Sequence, residues 1–196
     1  MGGKCVREQW KKQADGSKWR FLLVVSFLSG IVGMIWIDKI FSFQISVFTM
    51  ENCKNYVDTE WNTMALFLEC LLKKLVLYLG LFILLFSKFG LKFLGTYVMW
   101  YFFCLGMSME LLAIEYGVWG MGLFVVGCFP QVYLYGLGFM LLYRMGKCIK
   151  RENKVNGPQF FIFQMVVIIG VFFESYVNPL LLKIFLKIFL EQFYNI

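Results

Sequence analysis

The sequence predicts an all-α, polytopic membrane helix bundle of about five transmembrane helices, with amphipathic helices at its outer interface. Three observations carry that prediction. Of the 196 residues, 60% are hydrophobic and 20% aromatic, and the mean hydropathy is +0.71, values that belong to integral membrane proteins. The apolar residues fall in runs near the ~20 residues a spanning helix needs. The lysines and arginines collect between those runs. A net charge of +7 would suggest nucleic acid in a soluble chain. Here lipid topology accounts for it, the bilayer is the expected partner, and no nucleic acid is expected.

Residues 1–20 form a basic tail. The apolar run Phe21–Ile37 follows, then Asp38-Lys39 with no small-residue cleavage site, so the run reads as an uncleaved signal anchor. The first span is drawn at about Trp19–Ile37. Within it Ser26, Ser29, Gly30 and Gly33 make two overlapping small-xxx-small pairs, which let helix backbones approach in lipid. Packing inside the bundle is the favoured use of that seam, and a homo-oligomer contact is the other.

Residues 38–70 form the outer loop, with Asp38, Glu51, Asp58, Glu60 and Glu69. Trp61, Met64, Phe67 or Leu68, and Leu71 recur at helical spacing. That predicts an amphipathic helix on the outer leaflet leading into the second span. The second span covers about Leu71–Phe86, with Lys73 and Lys74 at its start, close enough to the interface to snorkel. A four-span chain lacking this helix is the alternative. The third span runs from about Phe93 to Ile114 and the fourth from about Val118 to Tyr143. Pro130 lies inside the fourth. It frees the carbonyl of Val126 and predicts a kink, beside the polar Gln131. The fifth runs from about Gln159 to Val177, completing a bundle over 21–180. In residues 181–196, Lys183, Lys187 and Glu191 form a polar stripe. This predicts an interfacial tail, with continuation of the fifth span as the alternative.

Lys4, Arg7, Lys11, Lys12, Lys18, Arg20, Lys88, Lys92, Arg144, Lys147, Lys150, Arg151 and Lys154 share one side of this arrangement. Lys39, Lys54, Lys73, Lys74, Lys183 and Lys187 share the other. The positive-inside rule then predicts a multi-pass protein of the cell membrane, N-terminus cytoplasmic and C-terminus outside.

Polar residues inside apolar runs are the candidates for function. Gly170-Val-Phe-Phe-Glu174-Ser-Tyr-Val-Asn178-Pro179 puts a carboxylate where one is costly. Glu174 and Asn178 fall on one helical face. Pro179 withholds a donor from the carbonyl of Ser175, so a broken helix is expected. Glu69 and Glu110 fall in the same outer half, and Lys73, Lys74 and Lys183 near the same depth. An acid–base cluster is the physical expectation. Glu69 and Glu110 are read as snorkelling to water. Glu174, Tyr176, Asn178, Pro179, Pro130, Gln131 and Glu110 are the candidate partner-binding or structural polar residues. Gly30, Gly33, Gly120 and Gly170 are the candidate helix-packing residues.

Enzyme chemistry is not expected. There is no histidine, hence neither the commonest zinc ligand nor the commonest general base. Six cysteines show no CxxC and suggest no disulfide pair. No nucleotide, hydrolase or metalloprotease motif occurs. No metal or cofactor is expected.

The order of features resembles a known family. A basic tail precedes Ser29-Gly-Ile-Val-Gly33. Gly117-Val-Trp-Gly120 leads to Phe129-Pro-Gln131, a basic loop follows, and Glu174-Ser-Tyr-Val-Asn-Pro179 comes last. From about Phe21 to Pro179 the chain resembles the stage II sporulation protein M family, most tellingly in Glu-x-Tyr-x-x-Pro. The resemblance implies a non-enzymatic scaffold in the mother-cell membrane at the engulfing septum. Its implied partners are a peptidoglycan amidase and a lytic transglycosylase, docked on Asp38–Cys70 and the C-terminal tail. A transporter or permease subunit using Glu174 and Pro130 is the alternative, although no inverted repeat is visible.

Overall fold

The computed structural model describes residues 2–41, 50–60, 62–152 and 157–194, with side chains for 19–40, 52–60, 62–151 and 157–192. All regular structure among them is helical. The order is α1 (Gly2–Phe41), α2 (Met50–Asp58), α3 (Thr63–Leu84), α4 (Gly90–Tyr116), α5 (Val118–Cys128), α6 (Gln131–Glu152), α7 (Gly157–Phe172), a π-helical turn (Phe173–Val177) and α8 (Asn178–Tyr194). Among the described residues three stretches are long and apolar enough to cross a membrane: Trp19–Ile40, Gly90–Tyr116 and Gly157–Gln192. The pair α5 and α6, bent by 51°, makes a fourth if counted as one span. Helix α3 carries Glu69, Lys73 and Lys74 within its first twelve residues and does not join them on composition.

Four features differ from the sequence expectation. The helix expected from Trp61 is no separate interfacial element. Asn62 caps α3, its side-chain oxygen accepting from the Ala65 N–H at 3.2 Å, and the helix runs unbroken into the expected second span. Trp61 itself lies outside the described residues. Within the outer loop, α2 forms instead. The fourth span is two helices, because the chain leaves helical geometry at Phe129 (ψ 139°) before Pro130. The break expected at Pro179 is a widened turn: the Asn178 N–H reaches back to the Phe173 carbonyl, five residues away, and the helix continues.

The chain forms two compact units, residues 1–43 with 96–111, and residues 44–95 with 112–196. In the first, α1 meets the middle of α4 backbone to backbone. A Cβ on Gly30 would lie 2.1 Å from the Phe103 carbonyl oxygen, and one on Gly106 2.1 Å from the Phe27 carbonyl oxygen. Only glycine permits that approach. Gly33 is different: its Cβ would sit 3.5 Å from the Phe103 ring, an ordinary contact. Phe21, Val24, Leu28, Val32 and Trp36 remain exposed, an apolar face of the kind lipid accommodates.

In the second unit Tyr78 of α3 is the centre of an aromatic core. It lies 5.3 Å from Phe139 of α6 and 5.5 Å from Phe163 of α7, ring centre to ring centre. Leu85, Leu142, Met145 and Val171 of the same unit are completely or almost completely buried. Gly117 ends α4 with φ +59°, a conformation that favours glycine, and α5 turns back over the last turn of α4. A Cβ on Gly120 would fall 1.8 Å from the Leu112 carbonyl oxygen. Helix α2 seats Cys53 against Leu123 of α5 and Leu186 of α8, with Tyr56 and Val57 beside it. The small cavity left there, lined by apolar groups such as Trp119 and Phe185, has room for about one water.

Candidate functional site

The polar residues that interrupt the apolar runs of the second unit meet along one seam. On one side is the N-terminal half of α6; on the other is the π-helical turn. Glu174 lies in that turn, and the Tyr135 hydroxyl of α6 donates to its Oε2. Lys74 of α3 reaches the same oxygen, Nζ to Oε2 3.5 Å, and sits 4.3 Å from the centre of the Tyr135 ring. The Tyr78 hydroxyl donates to the Tyr135 carbonyl at 3.5 Å. Gly170 makes room for this arrangement, because a Cβ there would lie 2.9 Å from Tyr135 Cε1.

A second rung follows about one turn away. Gln131 and Asn178 are each four residues from Tyr135 and Glu174. The chain break at Phe129-Pro130 leaves the Gly127 carbonyl without its helical donor. The Gln131 side-chain amide donates to it at 2.7 Å and the Asn178 amide at 3.1 Å. Asn178 Nδ2 also lies 3.5 Å from Gln131 Oε1. The two proline-marked segments are therefore joined: Asn178, beside Pro179, caps the backbone that Pro130 interrupts. Asn178 Oδ1 is buried with no hydrogen-bond partner among the described residues. In the turn itself, the buried Ser175 hydroxyl donates to the Val171 carbonyl at 2.7 Å.

The remaining candidates go elsewhere. Tyr176 points away from the seam, stacking on Phe172 at 4.9 Å and donating to Met64 Sδ at 3.8 Å. Glu110 belongs to the first unit. Gly30 and Gly33 also lie there, and Gly120 serves the α4–α5 turn. Glu69 pairs with Lys73 at 2.6 Å along α3. Lys183 donates to the Thr59 carbonyl at 2.8 Å, which fixes the end of α2 to α8.

Tyr135 was missed by the sequence reading. A tyrosine inside an apolar run needs a partner for its hydroxyl, and that requirement was the available signal. Gly106 was missed as well, since a single glycine in α4 has no marked partner in the sequence.

Chemically the first rung is one carboxylate, one ammonium and one phenol. The charges of Glu174 and Lys74 offset one another, as a low-dielectric setting requires. Among the described residues no three His, Cys, Asp or Glu side chains converge on a metal position. Among the described residues Cys70, Cys104, Cys128 and Cys148 are free thiols. Outside the spans, burial first and the Glu115 carboxylate second push the Cys53 thiol above its ordinary value of 9.0. No protein-family model, no curated protein and no solved structure matches this chain.

Proposed function

We propose that this chain is a non-enzymatic integral membrane scaffold, a five-span bundle whose outer segments dock partner proteins. The observation that carries the reading is the two-rung seam. Its charged groups, Glu174 and Lys74, and the Tyr135 hydroxyl are spent on one another, joining α3, α6 and the π-helical turn. Helix α3 supplies the fifth span in this reading. Its three charges are paired, Lys73 to Glu69 and Lys74 to Glu174, and Leu72, Val76, Leu79 and Ile83 are exposed on its outer face as lipid contact requires.

With five spans the N-terminus is cytoplasmic and the C-terminus outside, and α2 lies on the outer face with the end of α8. The resemblance to stage II sporulation protein M, which rests on the residues quoted above, supplies the specific form: an anchor for a peptidoglycan amidase and a lytic transglycosylase at the engulfing septum. Depletion in a sporulating host then stalls septal wall thinning; normal engulfment would sink that form. Sidedness is read by thiol labelling of Cys148 and of an Asn55→Cys variant, because Cys53 is only 2% exposed. Labelling of Cys148 from outside overturns the orientation.

One observation favours a second reading, a transporter or permease subunit. A bent α5–α6 pair and a π-helical turn face each other across an intramembrane carboxylate, and interrupted helices build many solute paths. In liposomes, solute flux that falls with Glu174→Gln supports this reading; flux indifferent to it removes the carboxylate from any coupling role.

A further inference from the structure

The turn between α3 and α4 carries a cluster of cations assembled by tertiary contact. Gly146 of α6 lets this turn settle closely, since a Cβ there would lie 2.8 Å from Leu91 Cδ2 and 2.9 Å from Leu85 Cδ2. That seating brings the Lys150 ammonium onto the Lys88 carbonyl at 2.8 Å. Arg144 and Lys147 stand exposed along the same end of α6, with Lys147 4.7 Å from the centre of the Tyr143 ring. Among the described residues no carboxylate pairs with Lys88, Arg144, Lys147 or Lys150. Like charges gathered this way repel unless an anion lies among them. Phe86 and Phe89, which flank Lys88, are 59% and 70% exposed. Phe86 keeps an edge contact with Phe82 and Lys92 lies 5.9 Å from the centre of the Phe89 ring, yet both rings leave most of their surface open. Cations beside largely exposed phenyl rings match a ligand with an anionic head and an apolar body.

We propose that this cluster is a binding site for an anionic phospholipid, with the phosphate held by Lys88, Lys147 and Lys150 and the acyl chains against Phe86 and Phe89. It rests on the membrane reading and adds to it a defined lipid site, distinct from the diffuse attraction of basic loops to a membrane surface. The positive-inside bias explains why cations lie on this side. It does not explain why Gly146 and the Lys150 contact hold the Lys88 turn against this end of α6.

The full-length chain, purified in mild detergent with phosphatidylglycerol and phosphatidylcholine in equal amounts, is analysed for retained lipid by native mass spectrometry. Phosphatidylglycerol is expected to be retained preferentially and to raise the unfolding temperature, and inorganic phosphate to do neither. Lys88→Gln with Lys147→Gln removes two cations whose side chains hold no other element. It should weaken phosphatidylglycerol retention roughly 25-fold, about fivefold per cation. Equal retention of both lipids, a variant that keeps the preference, or a shift reproduced by phosphate alone overturns the site. Alkaline carbonate extraction separates the two failures. A chain that stays in the membrane pellet yet shows no lipid preference loses only this inference, whereas a chain released by carbonate loses the membrane reading as well.

Discussion

The two units hold their helices together by opposite means. In the first, α1 and α4 approach through bare backbone at Gly30 and Gly106, where a side chain would collide. In the second, α3, α6 and the π-helical turn are joined by a carboxylate, an ammonium and a phenol, and two amides join α6 and α8 to the end of α5. Lipid tails offer helices no hydrophobic reason to associate, so close packing and polar pairing are the available glues. The first is intolerant of added volume at those glycines. The second accepts some change of shape but not the loss of a partner.

The largest effect is expected where that contrast is sharpest. Gly30→Leu must force α1 and α4 apart, because its first carbon already collides with backbone; a loss of about 3 kcal/mol or more is expected, read by unfolding in detergent. Gly33→Ala, three residues away, should be neutral or stabilising by up to about 1 kcal/mol, since alanine favours helix and finds only an ordinary contact. Equal damage from both would show that the glycine seam is not steric.

Next comes the polar seam. Lys74→Met leaves Glu174 with Tyr135 alone and should cost about 2 kcal/mol, below the figure for a fully buried pair because both side chains keep roughly a quarter of their exposure. The double variant Lys74→Met with Glu174→Gln should recover part of that loss. Strict additivity would mean the two side chains do not interact. A smaller effect, about 1 kcal/mol, is expected of Gly170→Ala, which crowds a flexible ring rather than backbone.

The smallest effect lies away from both seams. Folding keeps the Cys53 thiol protonated to higher pH than in the unfolded chain. Its contribution is therefore complete below 9.0 and declines as pH rises through that value towards the raised folded one. Alkylation of Cys53 in the folded protein should begin at higher pH than in denaturant, and identical profiles would remove the burial argument.

The helical class and the apolar stretches were legible because hydropathy reports transfer into lipid one residue at a time. Helix α4 lies within three residues of its expected limits at either end, and Pro130 marked the α5–α6 bend. Partnership was not legible. Nothing local connects Tyr135 to Glu174, or Gly106 to Phe27, because each contact is made by two distant segments. Pro179 misled for a related reason. Its missing N–H was expected to stop the helix, yet the apolar residues beyond it still gain from helical packing, so the chain loosened one turn and went on. Helix α2 was hidden by its shortness and its polar side.

That loosened turn puts the long C-terminal helix out of phase with itself. A π-helical turn holds one residue more than an α-turn, and one residue is about 100° of rotation. The stripe that α7 turns toward Tyr78 and Tyr135 and the stripe that α8 turns toward α2 and α5 are thus set by separate clocks. Removing a single residue between Phe173 and Val177 would resynchronise them, swinging Leu186 and Phe189 away from their buried seats while changing no residue that touches them.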